Sequence, residues 1–211
     1  MPEITLNDDF GRAIAQTVLN YGFRSAIEIG SWDGSGSTAI LASTLGKHVS
    51  PRLVAIESDR MRFERLAERY RRESWVYCYH GSSISQRSLT PQCFADVWQS
   101  PYNGLRYPEE AVAGWWQKFV GYMAGKPGGV PGYIEETPGE RFDVALIDGS
   151  EFTGWDEFRL LRDRVSCFML DDAFHAYKCT QARAELLSDP AWHLVWASSY
   201  VRNGAAIFVK K

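Results

Sequence analysis

The chain has few cysteines, no long apolar run and no excess of positive charge, and each shortage removes a class of function. Its four cysteines, Cys78, Cys93, Cys167 and Cys179, lie far apart and form no Cys-x-x-Cys pair. Thiolate metal sites and dithiol redox chemistry therefore have no support, and reduced thiols are expected. No apolar stretch reaches the ~18 residues of a membrane span. The opening residues MPEITLNDDF carry acids where a secretory leader needs a basic and then an apolar stretch. A cytoplasmic protein with no membrane partner is the expectation. The 23 Lys and Arg are outnumbered by 26 Asp and Glu, which argues against a nucleic-acid partner. Even the most basic stretch, residues 60–72, is interleaved with Glu64 and Glu68 and carries Met61, Phe63, Leu66 and Tyr70 as an apolar stripe. It reads as the wet face of an ordinary helix.

What is present is alternation. The length of 211 residues suits one domain. Asp8 or Asp9 can cap a first helix carrying Phe10, Ile14 and Val18, which Gly22 should stop. Strands are expected at 25–30, 52–58 and 74–80, with helices at 37–46 and 60–72 between them. Across 84–140 the pattern dissolves among Pro101, Pro108, Pro127, Pro131 and Pro138, with one helix from residue 109 to about 125. A connection of this length with its own helix reads as a functional cover or lid. Order returns with a strand at 141–149, a helix at 153–164 announced by Thr153 and Asp156, a strand at 165–172 and a helix at 174–187. The last two strands should form a hairpin across Arg202, Asn203 and Gly204, because Asn-Gly tolerates positive φ at both turn positions. The expected fold is α/β: a single Rossmann-like, doubly wound domain over 1–211, with a mostly parallel seven-stranded sheet and an antiparallel C-terminal hairpin.

In such sheets ligands lie beyond the carboxyl ends of the strands, so the loop in SAIEIGSWDGSGSTAILAS (residues 25–43) is the first candidate. Gly34, Gly36 and Ala39 have the Gly-x-Gly-x-x-Ala spacing of a dinucleotide site, but Gly30 stands at the strand end, and from it that spacing fails at Trp32. Read as Glu28-x-Gly30-x-x-x-Gly34, the stretch resembles motif I of the class I methyltransferases, which use S-adenosylmethionine (SAM). The resemblance implies that Gly30, Ser31, Trp32 and Gly34 let backbone approach the cofactor, with Glu28 orienting the loop and the cofactor's amino group. Glu57, with Ser58, closes the second strand where a carboxylate can accept from both ribose hydroxyls, a role shared with dinucleotide enzymes. Gly81, Ser82 and Ser83 after the third strand resemble the turn that lies along adenine.

Two further strands end in acids, FDVALIDGSEF and CFMLDDAF, where charge is costly unless paired or used. On adjacent parallel strands ~4.8 Å apart, Asp148, Asp171 and Asp172 can converge, and three oxygen ligands suit Mg²⁺, or else Ca²⁺ or Mn²⁺. The alternative is that Asp148 contacts cofactor and Asp171 and Asp172 cap the next helix. Together these motifs resemble the catechol-type and macrocin-type small-molecule and sugar O-methyltransferases. That resemblance implies a divalent metal on Asp148, Asp171 and Asp172, SAM as cofactor, and a small-molecule hydroxyl, on a sugar or glycosylated metabolite, as acceptor. The relatives often carry Lys or His three residues after the first metal Asp, or Asp two after; here Glu151 and Ser150 stand there. Glu151 is the first candidate for the general base and His175 the second, beside Asp148. Trp98, Tyr102, Tyr107, Trp115, Trp116, Phe119 and Tyr122 offer aromatic faces for a substrate, most of them as packing. A homodimer is left open. The competing functions are an NAD(P)-dependent oxidoreductase and a SAM-fold protein that binds without catalysing.

Overall fold

Short apolar runs such as residues 53–56 and 144–147 form strands buried on both faces, the pattern of a parallel sheet covered by helices. The computed structural model describes residues 3–85, 91–101, 107–123 and 132–211. Strands β1 (Ser25–Ile29), β2 (Arg52–Glu57), β3 (Val76–His80), β4 (Phe142–Ile147) and β5 (Val165–Leu170) are parallel, and β6 (Trp192–Ser198) and β7 (Ala205–Lys210) form the expected antiparallel hairpin. The sheet order is β3-β2-β1-β4-β5-β7-β6, so the chain reverses its direction of progress between β1 and β4.

Helices α1 (Asp9–Tyr21), α2 (Ser37–Leu45) and α3 (Arg60–Arg69) cover one face through Phe10, Ile14, Val18, Leu41, Leu45 and Leu66. Helices α6 (Tyr133–Glu136), α7 (Gly154–Leu161) and α8 (Tyr177–Ser188) cover the other through Ile134, Phe158, Leu161, Cys179 and Leu186. Between β3 and β4 lie α4 (Pro91–Gln99), which the sequence reading did not anticipate, and α5 (Glu109–Met123), which it did. They meet in a satellite core of Val97, Val112 and Phe152, flanked by Trp98, Tyr107, Trp116 and Phe119. Tyr102 lies outside the described residues. No helix among the described residues is long and apolar enough to cross a membrane.

Three local expectations need correction. Asp8 caps α1 and Gly22 ends it at φ +66° as anticipated, but the Thr153 hydroxyl makes no cap on α7. The hairpin turn is longer than an Asn-Gly two-residue loop: positive φ falls on Arg202 and Gly204, not Asn203. The physical reason is that Asn203 is spent elsewhere, its carbonyl accepting from the Phe174 and His175 N–H groups. Those bonds pin residues 174–176 as a loop, so α8 begins at Tyr177 with Ala176 as its N-cap, later than the pattern implied. Asp171 and Asp172 are therefore not the cap of that helix.

Candidate active site

The parallel register sets one row of residues just beyond the strand ends. Ile29 pairs with Ile56 and Ile147, and Ile147 with Leu170, so Gly30, Asp148 and Asp171 emerge side by side. The ladder continues one step further, with the Gly30 N–H donating to Ile56 O, Asp148 N–H to Ile29 O and Asp171 N–H to Ile147 O. Above this row lies a cavity of about 420 Å³. That is within the ~300–1,000 Å³ typical of small-molecule sites.

Gly30 is where backbone closeness is required. Its φ is +88°, and a Cβ there would stand 2.2 Å from Asp148 O. Gly34 also has positive φ, +75°, but a Cβ on it would meet Leu66 and Tyr70, and the Tyr70 hydroxyl donates to its carbonyl at 2.7 Å. Gly34 thus serves the packing of α3 and does not line the cavity. Glu28 and Ser31 do not line it either. Glu28 is fully buried beneath the loop and accepts from Ser31 Oγ at 2.8 Å and Thr38 Oγ1 at 2.6 Å. Burial pushes its carboxyl up, partly offset by the hydroxyls of Ser37, Thr38 and Ser31. Glu28 holds the loop from behind, against the positive end of α2.

The other expected cofactor residues, Gly30, Trp32, Glu57, Ser58, Gly81, Ser82, Ser83 and Asp148, all line the cavity. Glu57 receives the Trp32 N–H on Oε2 and the Asp59 N–H on Oε1, both at 2.8 Å. Each oxygen keeps a further lone pair for a ligand hydroxyl. Three charged lining residues were not anticipated. Arg62 stacks on Trp32 with its guanidinium carbon 3.3 Å from the ring centroid, so the basic helix contributes a cavity residue after all. Lys118 of α5 lines the wall. Glu157, completely buried, accepts from Ser83 Oγ and leaves its Oε2 without a partner; burial pushes its carboxyl up to about 7. The insertion supplies Trp115, Phe119 and Tyr122 to the same cavity, while Trp98 and Trp116 pack in the satellite core.

Of the base candidates, Glu151 is in place. It lines the cavity, and its Oε2 accepts the Lys178 N–H at 3.1 Å. Burial raises its carboxyl, with Lys178 pulling the other way. His175 is exposed and lies outside the cavity lining, because the pinned loop before α8 turns it outward.

Asp148, Asp171 and Asp172 do converge: one oxygen from each lies within 4.8 Å of the others. The donor set suits Mg²⁺, but the space between the carboxylates is taken. Lys178 Nζ stands 2.8 Å from Asp148 Oδ1, 2.6 Å from Asp172 Oδ2 and 3.9 Å from Asp171 Oδ2. The turn from the hairpin adds a second cation, Arg202, 2.6 Å from Asp171 Oδ1, and the Asn203 amide donates to Asp172 Oδ1 at 2.9 Å. Burial disfavours the ammonium, yet Asp148, Asp172, Asp171 and Glu151 outweigh it and hold Lys178 well above its ordinary value. Asp148 is pushed well up by burial, against Lys178. Burial acts the same way on Asp172, but Lys178, Asn203 and Arg202 bring it below the usual range. A dication ~3 Å from an ammonium would be repelled by about 10 kcal/mol even at an effective dielectric of ~20. With Lys178 in place the residues do not fit a metal ion, contrary to the expectation of Mg²⁺ at this triad.

No protein-family model and no curated protein matches the chain. Solved structures do. An O-methyltransferase from Bacillus cereus, in complex with S-adenosylhomocysteine (SAH), superposes with a TM-score of 0.60 at 15% identity, over 95% of this chain and 80% of that one. TomG from Streptomyces achromogenes, an O-methyltransferase of tomaymycin synthesis in complex with SAM, gives 0.59 at 13% identity, over 100% and 83%. The SAH-bound methyltransferase PaMTH1 from Podospora anserina gives 0.55 at 14%, over 95% and 77%. The sheet order, the antiparallel last strand and these superpositions together establish that the chain has the class I methyltransferase fold.

Proposed function

We propose that the chain is a SAM-dependent O-methyltransferase acting on a hydroxyl of a small molecule, with a sugar or glycosylated metabolite as the acceptor. The observation that carries this reading is the composition of this cavity's wall: Ser82 and Ser83, Glu57, Gly30 and Trp32, then Asp148 and Glu151, from the ends of the four adjacent strands β3, β2, β1 and β4. SAM or SAH occupies several neighbours of the same fold by their own descriptions. Glu57 would take the ribose hydroxyls, Ser82 and Ser83 the adenine edge, and Gly30 the close approach of the methionine portion. Asp148 and Glu151 line the part of the cavity where a sulfonium would sit, and their carboxyl oxygens would face it.

Transfer is a displacement: an acceptor oxygen attacks the methyl carbon, and the sulfur–carbon electron pair returns to sulfur, giving SAH. The protein must align the oxygen with that bond and remove its proton. Glu151 is the group for the proton, since burial makes its carboxylate more basic than a free one. Trp115, Phe119 and Tyr122 give the flat apolar faces on which a sugar or ring can rest.

A nicotinamide oxidoreductase fits less well. Its pyrophosphate would need the N-terminus of α2, but Gly36 and Ser37 do not line the cavity, and Glu28 already bonds Thr38 in the first turn. Calorimetry separates the readings: SAH should bind and NADH should not, and the reverse result overturns the proposal. Methyl release from SAM over a panel of hydroxyl compounds tests the chemistry. Glu151→Gln should lower the rate by roughly 10²–10⁴-fold while leaving SAH affinity intact; an unchanged rate removes Glu151 from that role.

A further inference from the structure

The acid cluster poses a problem of charge. Three carboxylates lie on the ends of β4 and β5, and Asp171 is 3% exposed and Asp172 15% at the side chain. Buried carboxylates at this spacing demand a cation. In this chain the cation is covalent. Lys178 enters from the first turn of α8, and its side chain is 5% exposed. It has little room to swing away. Gly154 at the start of α7 lies against it so closely that a Cβ there would meet Lys178 O at 2.3 Å and Lys178 Cγ at 3.2 Å. Arg202, held on Asp171, closes the opposite side.

We infer that the Lys178 ammonium permanently occupies the position between Asp148, Asp171 and Asp172, excluding divalent ions from it, and that methyl transfer by this chain proceeds without a metal. The second half rests on the methyltransferase reading; the first does not. Lys178 does not line the cavity, so it acts as a positioning residue. It fixes Asp148, which does line the cavity, and its backbone N–H fixes Glu151. In this arrangement the acceptor is oriented by protein groups alone.

The test uses Mn²⁺, whose free aquo signal in electron paramagnetic resonance disappears on binding. It is read without cofactor, so it reports on the triad whether or not SAH binds. Wild-type protein should leave Mn²⁺ free at millimolar concentration. Lys178→Ala should bind it at least 100-fold more tightly, and Asp172→Asn added to that variant should abolish the gain. If Lys178→Ala does not fold by circular dichroism, Lys178→Gln, which keeps a donor toward the carboxylates, is read the same way. Wild-type binding of Mn²⁺ that Asp172→Asn removes would overturn the inference, as would a folded Lys178 variant that binds no ion. In parallel, wild-type methyl release should be unchanged by EDTA. Inhibition by EDTA that Mg²⁺ restores would refute the metal-free transfer, and failure of SAH to bind would instead strike the functional reading.

Discussion

Glu157 should make the stability of this protein depend on pH in a direction opposite to most carboxylates. It sits inside α7 with no solvent exposure, bonded to Ser83 and with one oxygen unpartnered. Burial raises it from an ordinary 4.5 to about 7. Between those values the folded protein holds a proton that the unfolded chain has released. Stability from this group is therefore complete below about 4.5 and falls as pH rises, levelling off above about 7. At ~1.36 kcal/mol for each pH unit, the gap is worth about 3 kcal/mol. Glu157→Gln imitates the protonated form, keeping an acceptor for Ser83. Relative to wild type, the variant should be nearly neutral at pH 5 and more stable by about 3 kcal/mol at pH 8. For a chain of this size that is a rise of roughly 6–12 °C in Tm. Thermal unfolding of both proteins at both pH values measures the double difference, which cancels every other titrating group. An equal Tm difference at pH 5 and pH 8 would falsify the account of Glu157 as a protonated buried acid.

Two further substitutions probe the cavity. Glu57→Ala removes the carboxylate that faces the ribose position; losing hydrogen bonds to a charged group costs roughly 1.5–3 kcal/mol, so SAH affinity should fall roughly 10–150-fold by calorimetry, and an unchanged Kd would remove Glu57 from the cofactor site. Gly30→Ala places a methyl 2.2 Å from Asp148 O at φ +88°; positive φ and overpacking each cost about 1–3 kcal/mol, so Tm should drop by several degrees with loss of SAH binding, whereas a wild-type Tm would show that the strand ends can part.

The strands and their order of appearance were legible because buried parallel strands leave short apolar runs bounded by glycine and acids. Part of the cavity lining was legible for the same reason, since each strand end supplies one residue of the row, with Gly30 between Glu57 and Asp148. The side on which a loop residue points was not. Glu28 and Gly34 belong to the motif yet face α2 and α3, a matter of strand alternation and helix docking that only the packed structure decides. Helix α4 escaped because it lies in a proline-containing stretch whose apolar residues are shared with a small satellite core. Lys178 escaped because it reads as one polar residue in an amphipathic helix. A signal was present: a lysine in the first turn, two residues beyond the N-cap Ala176, opposes the helix dipole and needs anions nearby. The preceding Asp-Asp supplies them, but nothing in the spacing shows that the lysine reaches back to them.

The turn between β6 and β7 has a bearing on how the site comes into being. Arg202 lies 31 residues after Asp171, and Asn203 31 after Asp172. Chains are made from the N-terminus, and a domain generally folds as a unit. The acids are therefore synthesised first, Lys178 follows within a few residues, and the groups that complete their neutralisation come after β6. The acidic end of the sheet gains Arg202 and Asn203 only when the hairpin docks, so the step that closes this fold also completes the ion-pair cluster beside the cavity.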